Sequence, residues 1–129
     1  MTTHPYPTPF EMAALVANAA ESKKASNVNV LEVGKISSVS DYFVLCNGES
    51  PVQIKAIAEA IADTLEKFGQ RPLGQERDRV GRWFLMDYGE VVVHIMHPQA
   101  REFYRLEDFW NHALPVERAQ WLKEHRQAS

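Results

Sequence analysis

The feature that most constrains the fold of this chain is a hairpin signal in residues 82–96. Two runs of β-branched and aromatic residues flank a short polar segment at 87–90. Runs of this composition favour strands, and Gly89 lies where a tight turn requires a positive φ. The stretch therefore predicts two adjacent antiparallel strands.

Large apolar side chains occur on both faces of the first of these strands. Successive side chains in a strand point to opposite faces, so the strand has two separate sets of side chains. They are Trp83, Leu85 and Asp87 on one face, and Phe84, Met86 and Tyr88 on the other. A helix packed on the sheet covers one set. The second set requires another cover, either more of this chain or a different molecule.

Length and composition are those of one ordinary globular domain. The chain has 129 residues, of which 45% are hydrophobic and 24% are charged, a balance that permits a true core and excludes a disordered chain. No apolar run approaches the roughly 20 residues of a membrane span. The first residues show neither a secretion signal nor an Arg-rich transit peptide, so we expect a cytoplasmic protein that keeps its N-terminus.

Charge and cysteine content exclude further classes of site. The formal net charge is -3, and binding to nucleic acids depends mainly on Lys and Arg that neutralise phosphates. A mildly acidic chain without a basic run therefore predicts little direct RNA binding and suits a basic protein partner better. Cys46 is the only cysteine and lies in an apolar run. This excludes an intrachain disulfide and predicts a buried thiol.

Two capping boxes mark the starts of the main predicted helices. In such a box a Ser or Thr side chain accepts from the amide three residues on, whose own side chain reaches back. Thr8 and Glu11 open a helix over residues 9–24. Ser50 and Gln53 open the second helix. Its apolar stripe, at steps of three and four residues, is Ile54, Ile57, Ile61, Leu65 and Phe68.

Further strand and helix candidates complete the order of elements. Residues 28–36 and 42–46 resemble strands, and the short polar link between them favours antiparallel pairing. Segment 70–81 is polar and holds one short strand or none. Residues 99–110, and residues from 115 to about 126, show helical patterns. The order predicts an α/β fold with a mixed, largely antiparallel sheet and helices packed on it.

The chain divides into three parts on this basis. We expect a flexible Pro-rich arm over residues 1–8, one domain over residues 9–114, and a C-terminal helical extension over residues 115–129. In the extension, the helical pattern predicts an apolar edge with Trp121 to one side. That edge consists of Val116, Ala119 and Leu122.

Few residues are arranged for catalysis or for metal binding. His94 and His97 come nearest to a metal pair, but strand positions three apart face opposite sides. Residues 48–50 precede a helix in the manner of a phosphate-binding turn. They lack both the lysine of a P-loop and the three glycines of a dinucleotide fingerprint.

Metal-dependent nucleotidyl transfer is the sharpest enzymatic alternative. A Gly-Ser turn followed by acidic residues on a neighbouring strand can hold magnesium and a triphosphate. Such a site needs carboxylates at alternate strand positions, and the sequence contains no Asp-x-Asp pair. We therefore predict no enzyme activity, no catalytic residues, no metal and no cofactor, and keep a nucleotide-binding or nucleotidyltransferase-like enzyme as the alternative.

Four blocks within residues 10–112 form the most specific pattern in the sequence. They are Asp41-Tyr42-Phe43-Val44-Leu45-Cys46, Ser50-x-x-Gln53-x-Lys55-Ala56-Ile57-Ala58, Gly81-x-Trp83-x-Leu85-x-Asp87-Tyr88-Gly89-x-Val91-Val92-Val93-His94 and Arg101-x-Phe103-Tyr104-x-Leu106-Glu107-x-x-Trp110. In this order they resemble the ribosomal silencing factor family, also called RsfS or Iojap. Each block alone is a weak match, but the four together are specific.

The resemblance implies a translation repressor rather than an enzyme. The implied fold is similar to that of nucleotidyltransferases but without their catalytic carboxylates. Family members bind ribosomal protein number fourteen of the large ribosomal subunit and sterically block joining of the small subunit, so we expect the same partner here. Some members resemble homodimers when they are off the ribosome. The domain over residues 9–114 is then the silencing factor domain.

Carried onto this chain, the resemblance places the partner contact on the hairpin. The implied partner-binding residues are Trp83, Leu85, Asp87, Tyr88 and Glu90. From the residues alone, aromatic side chains beside carboxylates are typical of a hot spot that faces a basic protein.

The same residues also have structural alternatives. Trp83 could be a core residue, Tyr88 could cap the core beside the turn, and Asp87 could accept from turn amides. A third hypothesis is a dimeric scaffold in which the apolar hairpin face pairs with itself.

Overall fold

A computed structural model of this chain describes residues 7–38, 40–104 and 113–123. The helices in these ranges are α1 (Pro9–Ser22), α2 (Pro51–Glu66), α3 (Pro98–Tyr104) and α4 (Arg118–Lys123). The strands are β1 (Ser26–Glu32), β2 (Tyr42–Asn47), β3 (Gly74–Arg77), β4 (Trp83–Asp87), β5 (Val91–Met96) and β6 (Leu114–Val116).

One sheet contains all of these strands in the order β3-β4-β5-β2-β1-β6. β2 and β5 run parallel, whereas the other neighbouring strands run antiparallel. Parallel neighbours need a crossover of at least about a dozen residues, which α2 and the strands after it provide between β2 and β5. The predicted mixed, largely antiparallel sheet with packed helices is confirmed.

β4 and β5 form the predicted hairpin. Trp83 pairs with Met96 and Leu85 pairs with His94 across the two strands. Gly89 has a φ of 86° in the turn, as the hairpin signal requires. The polar segment before the hairpin contributes one short strand, β3, whose residues are all exposed at the edge of the sheet.

α1 and α2 cover one face of the sheet and form the core with it. The capping box of Thr8 and Glu11 is present in full at the start of α1. The predicted stripe of α2 is buried from Ile54 to Leu65, and Phe68 is partly buried against the core. The sheet residues that meet these helices include Val44, Met86, Val91, Val93 and Ile95.

Only one of the two hydrogen bonds of the second predicted capping box is present. Ser50 Oγ accepts from the Gln53 amide at 3.1 Å, but the Gln53 side chain does not return to Ser50. Its Oε1 accepts from the Glu49 amide at 2.7 Å, and its Nε2 donates to the carbonyl oxygens of Lys23 and Lys24, each at 3.1 Å. Gln53 therefore ties the start of α2 to the end of α1.

The predicted helix from residue 115 is wrong at its beginning. Residues Leu114–Val116 form β6, which pairs antiparallel with β1, and the helix begins only at Arg118. The predicted boundary between 114 and 115 thus falls inside a strand of the main sheet. The prediction was wrong because a single helical periodicity was assumed for residues that belong to a strand and to a separate helix.

Trp121 is buried in the core, contrary to its predicted place to one side of the helix. Only 1% of it is exposed, whereas Leu122, predicted on the apolar edge, is 36% exposed. The Trp121 carbonyl accepts from the Asn18 side chain on α1 at 3.2 Å. Arg118 donates twice to the Glu21 carboxylate, at 2.9 and 2.7 Å. α4 is therefore docked on α1.

The remaining predictions concern the Cys46 thiol, the N-terminal arm, the helix at 99–110 and membrane-spanning segments. Cys46 is a buried free thiol, as expected, and burial raises its pKa to about 12. Residues 1–6 of the arm predicted over residues 1–8, and residues 105–110 of the helix predicted over residues 99–110, lie outside the described residues. No helix within the described ranges is long and apolar enough to cross a membrane.

We expect Trp121→Ala to lower the free energy of unfolding by about 3 to 5 kcal/mol, because it removes a fully buried indole from the core. The neighbouring variant Leu122→Ala should cost much less, since that side chain is partly exposed. Urea unfolding of both variants measures the difference. Equal losses would contradict the docked position of α4.

Candidate partner-binding face of the hairpin

Three of the five predicted partner-binding residues share one face of the sheet. Trp83, Leu85 and Asp87 occupy alternate positions of β4 and are each half-buried. The intervening Met86 is fully buried in the core on the side of α1 and α2. The alternation of β4 therefore turns these three side chains away from the two long helices.

Neighbouring strands add residues to this face that sequence reasoning missed. Glu76 of β3 and His94 of β5 both pair with Leu85, so they lie on its side of the sheet. Val92 pairs with Asp87 in the same way. We call the surface formed by Trp83, Leu85, Asp87, Glu76 and Val92 the hairpin face. Only the strand register could have revealed Glu76 and Val92.

His94 holds Trp83 in place on the hairpin face. The indole Nε1 of Trp83 donates to Nδ1 of His94 at 3.3 Å, and the ring centroids lie 5.9 Å apart. The Phe43 ring also packs against the imidazole of His94, with a distance of 5.3 Å between the ring centroids. Burial lowers the pKa of His94 to about 4. The imidazole is therefore neutral at neutral pH, which leaves Nδ1 free to accept.

Asp87 accepts a hydrogen bond from a turn amide, which is the structural alternative stated for this residue in the sequence analysis. Its Oδ1 accepts from the Gly89 amide at 2.7 Å, which fixes the tight turn. This bond uses one carboxylate oxygen and leaves the charge in place. Glu90 lies in the turn with an exposed side chain. Contact of Asp87 and Glu90 with a partner stays a prediction.

Tyr88 lies on the side of the sheet opposite to the hairpin face, and its contact with a partner stays a prediction. It is 6% exposed and belongs to the core on the side of the long helices. The strand alternation accounts for this, because Tyr88 follows Met86 on the same side. Its hydroxyl has no hydrogen-bond partner among the described residues, and burial raises its pKa to about 12. Tyr88 caps the core.

A shallow cavity lies where β3 meets the hairpin face. Its volume is about 270 Å³, and its walls are Glu76, Arg77, Asp78, Trp83 and Leu85. The Asp78 carboxylate is engaged within the turn, since its Oδ1 accepts from the amides of Arg82 and Trp83 at 2.6 and 3.1 Å. The face thus combines an apolar centre with carboxylates at its margin.

Within the part of the chain that the structure describes, no group of three or more His, Cys, Asp or Glu residues could hold a metal ion. The two histidines considered from the sequence have other partners. His94 Nδ1 accepts from Trp83, and His97 Nδ1 accepts from the Gln99 amide at 3.1 Å.

Comparison with known proteins identifies the family. The family model described as "Ribosomal silencing factor during starvation" (RsfS) matches residues 6–129. The chain belongs to this family. The resemblance inferred from the four sequence blocks is therefore confirmed, and the match includes the C-terminal segment that the blocks left out.

Individual relatives agree with this assignment. A ribosomal silencing factor of Halalkalibacterium halodurans is 37% identical over 83% of this chain and 92% of its own length. That of Bacillus subtilis is 38% identical over 77% of this chain and 84% of its own length. These are names of regulators rather than of enzymes, which agrees with the prediction that this family member is not an enzyme.

A solved structure shows the same fold. The crystal structure of a Chromobacterium violaceum protein is similar with a TM-score of 0.78 and 31% sequence identity. The similarity covers 81% of this chain and 88% of that one. The mixed α/β architecture is therefore shared with a solved protein of clear sequence similarity.

Stability should depend on pH through His94. Its folded pKa of about 4 lies below its ordinary value of 6.5, so the unfolded chain binds a proton first as the pH falls. The free energy of unfolding should therefore decrease between these two values, by about 3 kcal/mol in total.

Urea unfolding at about pH 7 and about pH 4.5 checks this contribution by comparing wild type with His94→Gln. The wild type should lose more stability on acidification than the variant, because other titrating groups are common to both. His97→Gln is the matched control and should behave as the wild type does. Identical acid losses in wild type and His94→Gln would contradict the assignment.

Proposed function

We propose that this ribosomal silencing factor represses translation by binding ribosomal protein number fourteen of the large subunit through its hairpin face. The bound protein then sterically blocks joining of the small subunit. Family membership supports a ribosome-associated role in translation silencing. The partner and the mode of action follow from the family resemblance and from the chemistry of the face.

The fixed Trp83 is the observation that carries the proposal. Trp is the residue most often found at the energetic centre of protein interfaces, and it contributes most when little side-chain freedom is lost on binding. Here the indole is half-buried, hydrogen-bonded to His94 and adjacent to Leu85. A preordered apolar centre of this kind is suited to a protein partner.

The carboxylates of the hairpin face support a basic partner. Glu76 and Asp87 lie on the face itself, and Glu90 is exposed in the adjoining turn. None of the three forms an ion pair with another described residue. Their charges can therefore attract a basic protein and fix its register, while the apolar centre supplies most of the affinity.

Steric occlusion requires only a stable complex and no bond chemistry. We include a cytoplasmic location in the proposal because large subunits are found there. A homodimer off the ribosome, which the resemblance implies, stays a prediction.

Trp83→Ala should weaken binding to purified large subunits by about 2 kcal/mol or more, which is about thirtyfold in the dissociation constant. Phe84→Ala is the matched control, since Phe84 is also half-buried but faces α2. Co-sedimentation through a gradient measures binding, and thermal unfolding confirms that both variants fold. A folded Trp83→Ala protein that binds as well as wild type would exclude this anchor.

The same gradients test the mode of action. Wild-type protein should shift the population from joined ribosomes to free subunits, and Trp83→Ala should fail to do so at equal concentration. Normal joining in the presence of saturating wild-type protein would contradict occlusion even if binding occurs.

Asp87→Asn combined with Glu76→Gln should slow association with the large subunit several-fold at low salt and have a smaller effect at high salt. The amide oxygen of Asn preserves an acceptor for Gly89, so the turn is retained. Stopped-flow association rates measure the effect. Glu59→Gln with Asp63→Asn removes the same charge from exposed positions of α2 and should leave the rate unchanged.

A further inference from the structure

Four exposed cations surround the turn between β3 and β4. They are Lys55 of α2, Arg77 of β3, and Arg79 and Arg82 of the turn. None of them forms a salt bridge with a carboxylate of the described residues. We call this set the basic turn. Its charges are free to meet a partner.

Close contact between the turn and α2 brings these cations together. Gly81 has a φ of 77°, and a Cβ added to it would lie 3.1 Å from the Cβ of Pro51 in the first turn of α2. Lys55 and Arg77 line one groove of about 230 Å³ beside this contact. Lys55 and Arg77, which are distant in sequence, therefore share one groove, and the turn that carries Arg79 and Arg82 borders this groove at Gly81.

The acidic groups of the described residues near the basic turn form no ion pair with Arg79 or Arg82. Segment 77–82 contains three arginines and one aspartate, Asp78, whose carboxylate accepts from two amides of the turn. Glu59 lies one helical turn beyond Lys55. Glu59 and Glu76 line a cavity together with Lys55 and Arg77, whereas Arg79 and Arg82 are not among the residues that line it.

The hairpin thus separates charges of opposite sign. Glu76 and Asp87 lie on the hairpin face, and Arg79 and Arg82 lie in the turn at its end. A net charge of -3 conceals this separation. Low overall charge was the reason to expect little direct RNA contact, and that reason does not apply to this local surface.

We propose that the basic turn contacts the phosphate backbone of ribosomal RNA on the large subunit while the hairpin face binds the ribosomal protein. This inference depends on the proposed function. Arg82 directly precedes Trp83, so docking of the indole on the large subunit places the basic turn at the edge of the same contact. Guanidinium groups match phosphate oxygens in a bidentate geometry, and each contact releases counterions.

The test compares Arg79→Gln/Arg82→Gln with wild type for binding to intact large subunits at several salt concentrations. The slope of the logarithm of affinity against the logarithm of salt concentration should decrease in magnitude by about 1 to 2. Lys67→Gln/Arg71→Gln is the matched control. It removes two exposed cations beyond the other end of α2 and should retain the wild-type slope.

Binding to isolated ribosomal protein number fourteen separates RNA contact from protein contact. The Arg79→Gln/Arg82→Gln variant should bind the isolated protein as well as wild type does. An equal loss of affinity for the isolated protein would overturn the inference, because the arginines would then contact protein. An unchanged salt slope on intact subunits would overturn it as well.

The outcomes also distinguish this inference from the proposed function. If the wild-type protein binds neither the isolated protein nor intact subunits, the proposed function fails and the inference fails with it. If wild type binds both and the salt slope of the variant is unchanged, only the RNA contact is excluded.

Discussion

β5 is hydrogen-bonded to a neighbouring strand along each of its two edges, and the rest of the structure depends on this pairing. β5 pairs with β4 in the hairpin and with β2 in parallel. One of its faces carries Val93 and Ile95 into the core under the long helices. Its other face carries His94, which holds Trp83. The same strand thus joins the stability of the core to the geometry of the binding surface.

The hairpin and the α2 stripe were predictable because their signals are local. Alternation and a positive-φ glycine define a hairpin within about 15 residues, and helical periodicity requires only one element. Alternation also placed Tyr88 opposite Trp83, yet the family motif included it as a contact. Its burial shows that the motif includes a residue that packs in the core.

Features that depend on distant residues were not accessible from the sequence. Glu76 joins the hairpin face only through the register of β3 against β4. The basic turn forms because Gly81 packs against Pro51, a contact between different blocks of the chain. Trp121 was misplaced because a strand and a helix were treated as one helix. In each case the missing information was the pairing of elements rather than their type.

The burial of His94 has a consequence for how the hairpin face responds to pH. An imidazole on a protein surface changes charge when a cell becomes mildly acidic. This one keeps its neutral form until the pH approaches about 4, so the acceptor for Trp83 persists at neutral and mildly acidic pH. The hydrogen bond that orients the Trp83 indole is therefore insensitive to mild acidification.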